Sequence, residues 1–129
     1  FDGTGKPRSK PLRYLTVVDG IVAGEGDGPM ACDAKPCGVI LAGTHPVAVD
    51  CVSARLMGFN WQKTRLLKHA FDLKTLPITD FSPSDITVTS NKTEWTGTLE
   101  TMRDCFEFRC HFGWQGHLES DERLTKTRF

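Results

Sequence analysis

The sequence predicts an α/β (or α+β) domain in which helices pack on a short mixed sheet. Two apolar runs of strand length, 12–18 and 38–42, flank a stretch rich in glycine and acidic residues, and a run of helical length begins at Pro46. Elements that interleave in this way favour a layered α/β architecture. The 129 residues fit one domain of ordinary size. Residues 1–129 are therefore expected to be one domain or the C-terminal fragment of a larger one.

The first predicted strand reads Leu-Arg-Tyr-Leu-Thr-Val-Val at 12–18, a run rich in β-branched and aromatic residues. Its end is apolar on both faces, which is typical of a central, buried strand. Residues 19–29 then predict a loop, because glycine and proline weaken the interiors of helices and strands. Residues 38–42, Gly-Val-Ile-Leu-Ala, predict a second buried strand.

A helix is predicted from Pro46 to Met57. Thr44 is the expected N-cap, proline suits the first helical turn, and Gly58 suits the end of the helix. A second helix is expected at 61–71, with Asn60 as its cap.

Two alternating segments, 86–89 and 105–112, predict half-buried strands. The second would place Phe106, Phe108, Cys110 and Phe112 on its apolar face. Residues 1–11 lack an apolar period and predict a flexible lead-in, and residues 119–129 predict a frayed tail.

Composition argues against several classes of function. The 16 basic and 16 acidic residues balance, whereas nucleic-acid binding usually needs a basic excess. No apolar run is long enough to span a membrane, so no membrane association is expected. Five cysteines are an odd number, which argues against a secreted disulfide framework and favours the cytoplasm.

The first candidate site is the glycine-rich stretch at 19–29. Asp19, Glu25 and Asp27 supply three carboxylates, and Gly28 lets a ligand approach the backbone. Ligands of open α/β sheets bind beyond the carboxyl ends of strands, and carboxylate oxygens suit Mg²⁺ or Ca²⁺. The alternative is a structural turn whose carboxylates accept hydrogen bonds from nearby N–H groups.

Asp50 is the second candidate, because it lies in a predicted helix that is apolar nearly all round. A carboxylate buried there needs a partner, with Ser53 and Arg55 as local options, or binds a ligand or metal ion. His45 would reach the glycine-rich stretch if both strands ended at the same sheet edge. A capping or surface role for His45 is the alternative.

The cysteines form two pairs with equal spacing, Cys32 with Cys37 and Cys105 with Cys110. Four intervening residues lie at the edge of the spacing that zinc sites use, and iron–sulfur clusters typically use tighter Cys-x2-Cys runs. Cys110 also fits the apolar face of its own predicted strand, which explains it without metal. An iron–sulfur cluster is therefore not expected in this chain.

Five stretches of the sequence together resemble the domain-of-unknown-function family 362 (DUF362). They are Tyr-Leu-Thr-Val-Val-Asp-Gly-Ile at 14–21, Gly-Asp-Gly-Pro at 26–29, Gly-Val-Ile-Leu-Ala-Gly-Thr-His-Pro-Val-Ala-Val-Asp at 38–50, Arg-Leu-Met-Gly-Phe at 55–59 and Phe-Gly-Trp-Gln-Gly-His-Leu at 112–118. The resemblance is to the C-terminal part of a longer domain. Some relatives carry a ferredoxin-type iron–sulfur segment that this chain lacks, and His45 stands where the family more often has Asp. The resemblance implies a fold neighbourhood and no particular reaction.

Three functions remain open at this point. The first is an α/β domain that binds a small molecule or a divalent cation at residues 19–29 and Asp50. The second is a redox accessory protein that holds iron–sulfur or zinc through its cysteine pairs. The third is a structural half-domain that completes a larger sheet with the N-terminal remainder of its parent protein. Whether the chain is an enzyme is left open.

Overall fold

The computed structural model describes residues 3–6 and 13–121 of the chain. Its first two elements, strands β1 (Thr16–Asp27) and β2 (Ala31–Gly43), form one long antiparallel hairpin. A bulge interrupts the ladder after Gly20, where the register shifts, and Gly38 takes a positive φ of 65° on the opposite strand. Such a bulge changes the direction in which the side chains beside it point.

The prediction of a loop at 19–29 is wrong, because nearly all of these residues lie in β1. Its glycines are accommodated by close approaches between the strands: a Cβ on Gly20 would lie 3.2 Å from the carbonyl oxygen of Val39. The long ladder of cross-strand pairs outweighs the low strand propensity of the glycines. The turn itself is confined to residues 28–30.

The expectation of strands buried on both faces is also wrong. Val17 and Ile40 are 57% and 67% exposed on the outer face of the hairpin, whereas Val18, Val39 and Leu41 are half-buried on the inner face. A two-stranded hairpin with a single packed layer shields only one face, so the apolar residues of the other face stay in contact with solvent.

Helix α1 (Pro46–Leu56) follows β2 and confirms the prediction of a helix from Pro46. Its N-cap residue is His45 rather than the predicted Thr44, and no side chain caps its first turn. Gly58 ends the helix as expected, with a φ of 83° that favours glycine.

The second predicted helix is divided in two. Asn60 caps a single 3₁₀ turn at Trp61–Lys63 by accepting a hydrogen bond from the backbone N–H of Gln62 at 2.9 Å. Helix α2 (Arg65–Asp72) then begins after Thr64, whose extended backbone separates the two turns. Strands β3 (Thr87–Val88) and β4 (Gly97–Thr98) form a second antiparallel sheet, which confirms the centre of the strand predicted at 86–89.

Residues 105–112 form no strand, contrary to the prediction. Their backbone is held by the end of α1, since Phe106 N–H donates to Leu56 C=O at 2.8 Å and Phe108 N–H donates to Met57 C=O at 2.9 Å. These acceptors belong to the end of a helix, so residues 105–112 have no neighbouring strand there with which to form a β-ladder. Phe108 and Cys110 are buried, as the predicted alternation requires, whereas Phe112 is exposed.

The core lies between α1, α2 and the segment 86–102. Helix α1 contributes more of its buried side chains than any other element, and Met102 and Cys51 are the most deeply buried. The remaining buried members of this cluster are Val47, Val52, Ala54, Leu56, Leu67, Ala70, Ile86, Trp95 and Leu99. Helices and antiparallel sheets thus pack together, and the α/β class is confirmed.

Residues 118–121 lie beside the segment that follows α1. The backbone N–H of Asn60 donates to Leu118 C=O at 2.7 Å, and Ser120 N–H donates to Gly58 C=O at 3.2 Å. The rest of the predicted tail, 122–129, lies outside the described residues, as do residues 1–2 and 7–12 of the predicted lead-in. Among the helices that the structure describes, none has the length and apolarity that a membrane crossing requires.

Candidate functional site

Glu25, predicted as a ligand, joins the hairpin to the segment after residue 105. Its carboxylate accepts hydrogen bonds from the Lys35 ammonium at 2.7 Å and from the backbone N–H of Arg109 at 3.0 Å. The Lys35 ammonium also donates to the carbonyl oxygen of Glu107 at 3.0 Å. Glu25 therefore has the hydrogen bonds that a structural carboxylate needs.

The pKa of Glu25 is lowered below 4.5, first by the hydrogen bond from Lys35 and then by that from the Arg109 backbone. A folded-state pKa below the unfolded value stabilises the fold above about pH 4.5, and this stabilisation is lost as the pH falls through the folded pKa. We expect Glu25→Gln to cost about 1–2 kcal/mol at pH 7 and much less near pH 3. Urea unfolding followed by circular dichroism between pH 3 and 7 measures this.

The exposed Glu100→Gln is the matched control for this experiment and should leave the pH dependence unchanged. Some acid sensitivity will remain in both variants, because hydrogen bonds from Ser82 also lower the pKa of Asp85. A Glu25→Gln variant with the wild-type pH profile would contradict the structural role of Glu25.

Two further carboxylates of the hairpin also interact with other groups of the protein. Asp27 accepts a hydrogen bond from the backbone N–H of Phe112 at 3.3 Å, and Asp33 forms an ion pair with the Arg109 guanidinium. The backbone N–H of Gly26, where φ is 81°, donates to the Arg109 carbonyl at 2.9 Å. The tip of the hairpin is thus attached to residues 109–112 by both backbone and side chains.

Asp19 lies apart from this cluster, whereas Gly28 adjoins it. Asp19 is exposed at the bulge, where its carboxylate accepts a hydrogen bond from the Ile21 backbone N–H at 3.1 Å. Gly28 belongs to the turn between the strands, and its N–H donates to Gly26 C=O at 2.8 Å. The 19–29 stretch therefore spreads its carboxylates along a strand rather than gathering them around one point.

The prediction of a buried Asp50 is wrong. Asp50 lies on the exposed side of α1, while its neighbours Val49 and Cys51 are buried. Burial raises the pKa of the Cys51 thiol to about 11, and the Asp50 charge adds to the effect. Arg55, a predicted partner of Asp50, instead donates to the carbonyl oxygens of Leu99 and Met102.

His45 does not reach the glycine-rich turn, because β1 and β2 are antiparallel and His45 lies at the opposite end of the hairpin. Its Nε2 lies 3.0 Å from the carbonyl oxygen of Ile78, and its ring meets Phe81 edge-on at 4.7 Å between centroids. A carbonyl can only accept, so Nε2 donates in this contact, and the tautomer that fits it leaves Nδ1 as an acceptor. This Nδ1 is buried without a hydrogen-bond partner among the described residues.

A cleft of about 700 Å³ adjoins His45. Arg13, Tyr14 and Thr44 line it on the hairpin side, and residues 77–80 line it on the other. Its volume lies within the range that small-molecule sites occupy. The cleft contains a permanent cation, a phenol, an imidazole and the carboxylate of Asp80, so it offers both charges and several hydrogen-bonding groups.

The four cysteines of the two predicted pairs lie on different parts of the chain, Cys32 and Cys37 in β2 and Cys105 and Cys110 in the extended segment that follows β4. No disulfide bond joins any of the five cysteines, and Cys32 is exposed on β2 whereas Cys110 is buried. Within the described ranges 3–6 and 13–121, no three His, Cys, Asp or Glu side chains converge as metal ligands would. The cation site at Asp19, Asp27 and Asp50 stays a prediction, and so does the weaker cysteine site.

Of the predicted ligand residues, the structure places Glu25 and Asp27 at one end of the hairpin and His45 at the other. Sequence reasoning missed Arg13, Tyr14 and residues 77–80 as parts of the cleft. Tyr14 belongs to an apolar run that predicts a strand, and Pro-Ile-Thr-Asp at 77–80 has no period, so neither carries a signal for ligand binding.

Residues 10–55 match the family model described as "Domain of unknown function (DUF362)". The match confirms the resemblance over these residues, which we call the DUF362 segment. It contains the hairpin and nearly all of α1, and with them Arg13, Tyr14, Thr44 and His45 of the cleft. No curated protein and no solved structure matches the chain.

Proposed function

We propose that this chain is a small-molecule-binding α/β domain whose ligand occupies the cleft beside His45. The observation that carries the proposal is the buried Nδ1 of His45, an acceptor without a partner among the described residues. A buried acceptor without a hydrogen bond costs about 1–3 kcal/mol, which a ligand that donates to Nδ1 would recover. The ligand therefore carries a hydroxyl or N–H group at that point.

The charges of the cleft narrow the class of ligand. The guanidinium of Arg13 suits a carboxylate or phosphate group. Asp80 and the Tyr14 hydroxyl supply acceptors for further donors of the ligand. A small hydroxy acid or amino acid has this combination of an anionic group and a hydrogen-bond donor.

Calorimetric titration with lactate, malate, serine and inorganic phosphate tests the proposal. We expect at least one organic acid to bind, and His45→Gln to weaken its binding about tenfold, the loss of one hydrogen bond. Glutamine retains an N–H that can donate to Ile78 C=O but has no acceptor in place of Nδ1. The melting temperature of His45→Gln should therefore stay close to that of the wild type.

Asp50→Asn is the matched control, because it changes an exposed charge of the same helix and should bind like the wild type. A wild-type protein that binds none of these compounds at millimolar concentration, or a His45→Gln variant that binds as well as the wild type, would refute the proposal. Parallel titrations with Mg²⁺ and Ca²⁺ test the cation prediction at Asp19, Asp27 and Asp50 separately.

A second candidate function is structural. The outer face of the hairpin exposes several large apolar side chains, an arrangement that often marks an interaction surface. These are Leu15, Val17, Val22 and Ile40. The N-terminal remainder of the parent protein would then cover this face. Melting of the unliganded chain separates the candidates: a broad, low transition favours the half-domain, and a cooperative, high one counts against it.

We also propose that the domain works in the reducing cytoplasm. No disulfide bond joins the five cysteines, and Cys32 is exposed to solvent. Such thiols persist where glutathione and thioredoxin keep cysteines reduced, and are oxidised in secretory compartments.

A further inference from the structure

A second cavity lies between the inner face of the hairpin and α1. Its volume is about 140 Å³, and it shares no residue with the cleft beside His45. Val39 and Leu41 of β2, Leu56 of α1, and Phe106 and Phe108 form its main apolar walls. Such a space lined by aliphatic and aromatic side chains favours an apolar occupant over water.

One polar side chain of α1 breaks this apolar lining. Ser53 lines the cavity, and its hydroxyl oxygen is buried without a hydrogen-bond partner among the described residues. A serine inside a helix usually turns to solvent or donates to the carbonyl four residues earlier. Ser53 does neither, so its hydroxyl is left as both a donor and an acceptor beside the cavity.

The other polar groups of the cavity already have partners. The Cys37 thiol donates to the carbonyl oxygen of Lys35 at 3.4 Å, and the Asp19 carboxylate is held at the bulge by the Ile21 N–H. Asp19 is moreover exposed, so its charge is solvated. Ser53 is therefore the polar group that an occupant would satisfy, and the occupant needs no charge of its own.

We propose that this cavity is a binding site for a small neutral molecule with one aromatic or branched apolar group and one hydroxyl or amide that hydrogen-bonds to Ser53. Its volume is close to that of engineered cavities of roughly 150 Å³ that hold a benzene ring. The apolar part lies against Phe106 and Phe108, and the polar group lies beside Ser53.

The relative affinities of the protein for benzene and phenol test the site. Both probes are titrated into ¹⁵N-labelled protein. A wholly apolar cavity prefers benzene, because a buried phenol hydroxyl without a partner is unfavourable. In the wild type we expect phenol to bind at least as tightly as benzene and to shift the amide resonances of Val39, Leu56 and Phe106. Ser53→Ala should weaken phenol about tenfold and leave benzene unchanged.

Ala23→Ile is a second variant, in which a larger side chain fills the cavity from β1 and should abolish binding of both probes. Ser53→Ala keeps the test decisive if Ala23→Ile does not fold, because it only removes an unsatisfied hydroxyl. The absence of saturable shifts in the wild type, or an unchanged phenol affinity in Ser53→Ala, would overturn the proposal. His45→Gln should not alter phenol binding, so the two sites fail or succeed separately.

Discussion

Met102→Ala is expected to lower the free energy of unfolding by about 3 kcal/mol, within the range of about 2–5 for such truncations. Met102 is 0% exposed and lies in the core cluster with Cys51, Leu99 and Trp95. Truncation removes three heavy atoms from a close-packed site and leaves a cavity that the surrounding helices fill only in part. Urea unfolding followed by circular dichroism measures the change.

Two other methionine variants make the comparison specific. Met102→Leu nearly conserves the buried volume and should cost less than about 1.5 kcal/mol. Met30→Ala changes a side chain that is 93% exposed at the hairpin turn and should stay within about 0.5 kcal/mol of the wild type. If Met102→Ala were as stable as Met30→Ala, Met102 would not be a close-packed member of the core.

Helix α1 shows what the sequence determines well. Its start at Pro46 and its end before Gly58 follow from local backbone preferences, which act in the same way in any tertiary context. The apolar content of 47–57 correctly indicates extensive burial. It does not indicate which part stays exposed, because that depends on where α2 and residues 86–102 pack, and so the exposure of Asp50 was not predictable.

The hairpin shows the opposite case. Its glycine-rich strand pairs with 31–37, a stretch that has neither apolar alternation nor a strong strand propensity. The pairing is made by backbone groups, which are the same in every residue except proline, and therefore leaves no mark on hydrophobic periodicity. Residues 105–112 carry a strand-like alternation but meet a helix end, so the same kind of pattern gives an extended segment without a ladder.

The candidate site was predictable only at His45, because its other parts come together by tertiary folding. Arg13 and Tyr14 precede β1, and residues 77–80 follow α2, so more than sixty positions of the chain separate these two parts of the cleft. No local pattern predicts this contact. The sequence indicated Ser53 only as a possible partner of Asp50. Its role in the second cavity depends on a hydroxyl that the fold leaves without a hydrogen bond.

Arg55 connects the DUF362 segment to the rest of the chain, since it is the last matched residue and bonds to residues more than forty positions later. Its Nε donates to Leu99 C=O at 3.1 Å, and its Nη2 donates to Met102 C=O at 2.8 Å. Hydrogen bonds from a charged donor contribute about 1.5–3 kcal/mol each where they are shielded from water. Arg103 also donates to Met102 C=O, at 3.0 Å, so that carbonyl keeps one partner when Arg55 is removed.

We therefore expect Arg55→Ala to lower the free energy of unfolding by about 2–3 kcal/mol, mainly because Leu99 C=O loses its side-chain donor. Arg55→Lys should recover only part of this, since an ammonium lacks the planar fork that reaches two carbonyls in fixed directions. The exposed Arg65→Ala on α2 controls for the loss of a positive charge and should change stability by less than about 0.5 kcal/mol. Urea unfolding of the three variants measures these differences. Equal stability of Arg55→Ala and Arg65→Ala would mean that α1 and residues 99–102 are held together by apolar packing alone. The link between the DUF362 segment and the later chain would then depend on Met102 and its neighbours.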